Sequence, residues 1–105
     1  MGTYIMLNTF TDQGIRTVRE TTKRADAVRD LAKKLGVMER DIYWTLGSVD
    51  VVAIFDAPDE ASMTALALAI GSHGNVRTQV LRALNRDEMQ GVLGKLSHAK
   101  VAVPA

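Results

Sequence analysis

The stretch from Asp41 to Glu60, DIYWTLGSVDVVAIFDAPDE, sets two apolar runs on either side of Gly47-Ser48-Val49-Asp50. The second run, VVAIF, is apolar at every position, which predicts a strand buried on both faces. Upstream, TYIMLNTF from Thr3 to Phe10 is rich in β-formers and predicts a first strand. TDQGIRTVRETT then reads as a connection with room for one helical turn. From Lys23 the period changes. Ala27, Val28, Leu31, Ala32 and Leu35 fall on one helical stripe, and Gly36 ends it. Asp41 to Gly47 predicts the second strand, GSVD a turn, and Asp50 to Ala57 the third strand. Pro58 opens a helix with Asp59 and Glu60 at the positive end of its dipole. That helix, DEASMTALALAIGSHG, ends near Gly71 or Gly74. Asn75 to Leu84 predicts a fourth strand. RDEMQGVLGKLSH predicts a last short helix, amphipathic through Met89, Val92, Leu93 and Leu96.

The order β-α-β-β-α-β-α is the split βαβ arrangement with an added C-terminal helix. The fold class is therefore α+β, a ferredoxin-like βαββαβ sandwich with a four-stranded antiparallel sheet in the order 4-1-3-2. Residues 1–98 form a single domain, and residues 99–105 are expected to be a flexible tail.

In this arrangement helices cover one face of the sheet, and the other face should turn polar. Here it does not. Val51, Ala53 and Phe55 point one way, and Val52 and Ile54 the other. Tyr4 and Met6 oppose Ile5 and Leu7 in the same manner. A second apolar face of several hundred Å² is costly to leave wet, at ~25 cal/mol per Å². A second copy of the chain is the expected cover, giving a dimeric α+β barrel or a multiple of it. The Ala-rich second helix, apolar nearly all round, is consistent with further contacts.

Composition narrows the chemistry. The chain has 105 residues, a net charge of +1 and no cysteine. Thiolate catalysis, disulfides and cysteine-ligated zinc are excluded. The charge does not argue for nucleic acid or an anionic membrane, and no run approaches the length of a membrane span. With no leader-like N-terminus, a cytoplasmic location is the expectation. The two histidines, His73 and His98, do not make a metal site, and no cofactor is expected.

Particular residues carry more. Tyr43-Trp44-Thr45-Leu46-Gly47, Asp50-Val51-Val52, Ala57-Pro58-Asp59, Gly74-Asn75-Val76-Arg77-Thr78 and the opening TDQGIR resemble the GYD-domain family of small bacterial and archaeal proteins. The resemblance runs from Tyr4 to about Leu96. It implies a ferredoxin-like subunit of the dimeric α/β-barrel kind, and no established reaction. The family's Gly-x-Tyr-Asp keeps Gly47 and Asp50 here but has Val49 in place of tyrosine, so no role that needs a phenol there carries over.

Candidate ligand-binding residues are Asn8, Tyr43, Asp50, His73, Asn75 and Arg77. The hairpin with Gly47, Ser48 and Asp50 is expected at one end of the sheet beside Tyr4 and Arg82. Asn8, Asp41, Asp56, His73, Asn75 and Arg77 are expected at the other end. Asp50 is either a cap on a backbone N–H, with Gly47 at positive φ, or a carboxylate at a barrel mouth that serves as base or ligand anchor. An ion pair of Asp50 with Arg82 is a further structural option. GSHGNVRT is either a helix end closed by glycine or an anion nest in which Arg77 grips a carboxylate or phosphate. His73 is either a solvated turn residue or a general acid–base. Trp44, in register with Ile42 and Leu46, is expected under the helices, and Tyr43 is expected to face the barrel interior.

Two functions remain open. One is a barrel that binds a small organic molecule, with cofactor-independent oxygenase or isomerase chemistry as an extension by fold analogy. The other is an assembly module with no ligand. No nucleophile–base pair can be put together from the serines, so an enzyme activity is left undecided.

Overall fold

A computed structural model describes residues 1–99. Of the tail expected over residues 99–105, Ala99 still belongs to the last helix, and residues 100–105 lie outside the described residues. The chain folds as β1 (Gly2–Phe10), α1 (Asp12–Arg16), a 3-10 turn (Val18–Glu20), α2 (Thr21–Lys34), β2 (Met38–Trp44), β3 (Val51–Ala57), α3 (Glu60–Ser72), β4 (Val76–Ala83) and α4 (Arg86–Ala99). The strands form one sheet in the order β2-β3-β1-β4, and every neighbouring pair is antiparallel. This is the ferredoxin-like α+β arrangement expected from the pattern.

Alternation along the central strands decides what each face holds. Tyr4 and Met6 of β1 point to the helices with Val51, Ala53, Phe55 and Ala57 of β3, and all are buried. Ala32, Val37, Met63, Leu66 and Ile70 complete this core from the helices and the α2–β2 connection. On the opposite face, cross-strand partners form apolar rows. Ile54 stands opposite Ile5, which faces Leu81, while Val52 lies between Leu7 and Tyr43. Among the described residues no element covers them: Leu81 and Tyr43 are exposed, and the others are half-buried.

Local chemistry sets the helix boundaries. Thr11 Oγ1 accepts from Gly14 N at 3.1 Å and starts α1. Asp59, not Pro58, is the cap of α3: its Oδ1 accepts from Ser62 N at 2.7 Å. That bond holds the Asp59 carboxyl below its usual range. Pro58 stands one residue outside the helix. Asn85 and Glu88 cap α4 reciprocally. Asn85 Oδ1 accepts from Glu88 N at 2.8 Å, and Glu88 Oε1 accepts from Asn85 N at 3.1 Å. Despite this firm start, α4 buries none of its residues, and Met89, Val92, Leu93 and Leu96 stay exposed.

Three expectations need correction. First, β2 runs from Met38 to Trp44 rather than from Asp41 to Gly47. Thr45 already belongs to the turn, with its N–H donating to Asp50 O and its hydroxyl to Val49 O. Gly47 sits at φ 124° and Leu46 is fully exposed. Second, Trp44 is on the helix side but ends its strand there, so it is 43% exposed rather than core. Its Nε1 donates to Thr21 Oγ1 at 3.0 Å. Third, the two polar ends were assigned wrongly. Because β1 runs antiparallel to β3, the end of β1 lies by the start of β3, with Asn8 opposite Val51. The GSVD hairpin therefore shares its end of the sheet with Asn8, His73, Asn75 and Arg77. Tyr4, Arg82 and Asp56 belong to the other end, and Asp41 lies between, opposite Ile54. The ion pairs follow the corrected placement. Arg82 meets Glu88 at 3.3 Å and Asp56 meets Arg40 at 3.5 Å, so Asp50 is not paired with Arg82.

Candidate functional site

Two glycine-bearing motifs far apart in the chain meet at this shared end. In α1, Thr11 N donates to Asn75 O at 3.1 Å and Thr11 Oγ1 to Gly74 O at 2.6 Å. Gln13 Nε2 donates to His73 O at 3.0 Å and to Asn75 Oδ1 at 2.9 Å. Gly14 is buried against the same loop: a Cβ there would stand 1.9 Å from Asn75 O. TDQG is thus a clamp on GSHGN. The backbone N–H groups of His73 and Gly74 are themselves spent on Ile70 O and Gly71 O, closing α3 with Gly74 at φ 83°. His73 Nδ1 lies 2.8 Å from Ala69 O, which makes that nitrogen the protonated one.

Asp50 joins the hairpin to β1. Its Oδ2 accepts from Phe10 N at 2.8 Å, and its own N–H donates to Asn8 O at 2.9 Å. Phe10 lies where β1 outruns β3, so its amide has no strand partner on that side and the carboxylate stands in for one. The geometry is that of a cap, on the neighbouring strand rather than within the hairpin. Asp50→Leu is expected to cost about 1–3 kcal/mol, because it strands a partly buried N–H. Asp50→Asn keeps an acceptor and is expected to cost under about 1 kcal/mol. Urea denaturation of the pair checks this, and equal losses would point to a need for the charge itself.

Behind this end lies a cavity of about 370 Å³ between α2 and the sheet. Its walls are apolar: Met6, Val28, Leu31, Ile42, Phe55 and Ile70, with Trp44 among the outer residues. Asn8, His73 and Asn75 contribute polar groups. Asn8 is buried, and its Oδ1 accepts from Thr78 Oγ1 at 2.8 Å, which orients the side-chain amide. Arg24 also reaches the wall, but its guanidinium is spent on Thr17 O, Thr17 Oγ1 and Gly14 O at 2.9–3.2 Å. This ties α2 to the clamp.

The structure therefore divides the six candidates. Asn8, His73 and Asn75 share the cavity on the helix side. Tyr43 and Arg77 lie on the open face, opposite Val52 and Thr9 respectively, and Asp50 bonds to the end of β1. Among the described residues no three His, Cys, Asp or Glu side chains converge as a metal site.

Glu39 was missed by sequence reasoning. Alternation from Ile42 and Trp44 would turn Arg40 inward and Glu39 outward. A bulge reverses this: Glu39 pairs with Phe55 and Asp41 with Ile54, leaving Arg40 as the extra residue. Glu39 therefore faces the helices and lines the cavity. Its Oε2 is buried and has no hydrogen-bond partner. Burial pushes its carboxyl above the usual range; Arg29 pulls it back in part, and Asp26 adds to the rise. Its sequence neighbours, Met38 and Arg40, do not reveal a bulge.

Residues 4–93 match the GYD domain, so the chain belongs to the GYD domain family. It is similar to a Thermus thermophilus protein named "Glutamine synthetase and cystathionine beta-lyase binding protein". The two are 34% identical over 85 residues, which cover 80% of this chain and 90% of that protein. No solved structure matches the chain. Among the described residues no helix is long and apolar enough to cross a membrane.

Proposed function

We propose that this protein binds a small, largely apolar organic molecule in the cavity under α2, and that it does so as an oligomer of at least two copies. The carrying observation is the cavity itself: about 370 Å³, walled by aliphatic and aromatic side chains, with a few fixed polar groups. That volume and lining are those of small-molecule sites in general. The binding place is thus the space between sheet and helices within one chain, rather than the interior between two sheets. The reading is binding rather than turnover.

The protein carries its own reporter, since Trp44 is the only tryptophan and lies on the wall. A neutral arylalkanol such as phenylbutanol is expected to shift Trp44 emission saturably. Ala53 lines the same space and is 3% exposed. Ala53→Leu fills part of the cavity and is expected to weaken binding about tenfold or more, with thermal stability kept within about 1.5 kcal/mol. No saturable response in the unaltered protein would remove the reading.

A second reading is docking on other proteins, as the name of the Thermus thermophilus relative states for that protein. What favours it is the uncovered apolar face of Ile5, Leu7, Val52, Ile54 and Leu81, together with the exposed stripe on α4. A second copy and a foreign partner would compete for that face. Sedimentation of the purified protein with and without its host's glutamine synthetase separates the two: a heavier mixed species supports docking, and unchanged separate species remove it.

A further inference from the structure

We infer that the cavity selects organic cations: an amine on an apolar body, with the ammonium group seated against Glu39. This rests on the cavity reading above and names the class of ligand.

The cationic side chains near the cavity are already engaged. Arg24 donates to the carbonyl oxygens of Thr17 and Gly14. Arg29 pairs with Asp26 at 3.4 Å, and Arg40 with Asp56 at 3.5 Å. Glu39 is the carboxylate left over. It accepts no hydrogen bond and makes no ion pair among the described residues, and its Oε2 is shut away from solvent. A buried acceptor without a partner is costly and rare in folded proteins.

The fold spends a structural device to keep it there. Without the bulge at Arg40, Glu39 would face away from the helices. With the bulge, the carboxylate enters a space otherwise walled by Val28, Leu31, Ile42 and Phe55. Such a wall suits the body of an arylalkyl or alkyl amine. The carboxylate of Glu39 suits its N–H once a turn of the side chain brings an oxygen to the cavity, and a charge-assisted bond in an apolar surround is a strong one. An anion is disfavoured on the same grounds: Arg29, whose charge partly offsets Glu39, is paired with Asp26, and Arg24 is held by backbone oxygens.

The test compares two molecules of nearly equal shape, phenylbutylamine and phenylbutanol, titrated at neutral pH and followed by Trp44 emission. The measurement is repeated on Glu39→Gln, which keeps the side-chain size. The expected result in the unaltered protein is binding of both, with the amine about tenfold tighter or more. In Glu39→Gln the alcohol is expected to bind within about twofold of before, and the preference for the amine to vanish. If both bind and the amine is not preferred, or if the preference survives Glu39→Gln, the assignment to Glu39 is overturned while the cavity reading stands. If neither molecule perturbs Trp44, the cavity reading falls and takes this one with it. The unaltered protein alone decides whether an amine is preferred, so that part does not depend on how the variant folds.

Discussion

Gly14→Ala is expected to lower the free energy of unfolding by about 3 kcal/mol, a large loss for one methyl group. The added Cβ would stand 1.9 Å from Asn75 O and 2.8 Å from the Asn75 carbonyl carbon. Both are backbone atoms, so no side-chain rotation relieves the clash. Either α1 or the loop from His73 to Asn75 must move. Movement breaks the bonds from Thr11 and Gln13 to that loop, and it disturbs the seat of Arg24 on Gly14 O. The comparison that makes this decisive is Gly71→Ala. Gly71 lies in α3 with nothing within 4 Å of its Cβ direction, so alanine there is expected to be neutral or to stabilise by up to ~1 kcal/mol. Urea unfolding of both variants gives the two signs. Amide exchange at Thr11 and Gly14 should rise in Gly14→Ala beyond what global stability accounts for. A Gly14→Ala protein as stable as its parent would mean that TDQG does not hold GSHGN in the way described.

That clamp also explains what could and could not be read along the chain. The elements were legible because the apolar period switches cleanly between two and 3.6. VVAIF is apolar throughout because both faces of β3 carry apolar neighbours, and the cross-strand rows confirm it. Asp50 was legible as a cap, since a short carboxylate beside a strand end has an obvious backbone partner. Its partner was not, because Phe10 is 40 residues away. The clamp escaped notice for the same reason: Thr11 and Gly74 are 63 residues apart, and neither motif hints at the other. The placement of the two polar ends failed on strand direction. Following β1 and β3 as antiparallel neighbours brings Asn8 to Asp50. Glu39 was hidden by the bulge, which shifts the face of one residue without any glycine or proline to mark it. Trp44 was placed on the correct face but too deep, because the strand stops one residue before Thr45.

Ile54→Asp is expected to dissociate the proposed oligomer, raising its dissociation constant by about a hundredfold or more. Ile54 lies at the middle of the open face, with Ile5 beside it and Leu81 beyond. Covered by a second copy, a carboxylate there would be buried without a partner, at a cost of about 3–5 kcal/mol. The monomer complicates the test in one way. Asp41 is directly opposite Ile54 across β2 and β3, so a second carboxylate would also repel it within the chain. Ile54→Lys removes this ambiguity. The lysine can pair with Asp41 in the isolated subunit, sparing its stability, yet it still places a charge in the middle of the apolar face. Both variants should therefore lose assembly by light scattering, while Ile54→Lys keeps the parent's secondary structure and melts as a folded monomer. If Ile54→Lys remains oligomeric, the covered surface is elsewhere, and the exposed stripe of Met89, Val92, Leu93 and Leu96 becomes the surface to charge next. If both variants are monomeric and phenylbutanol still shifts Trp44, binding under α2 needs only one chain, and the face and the cavity act independently.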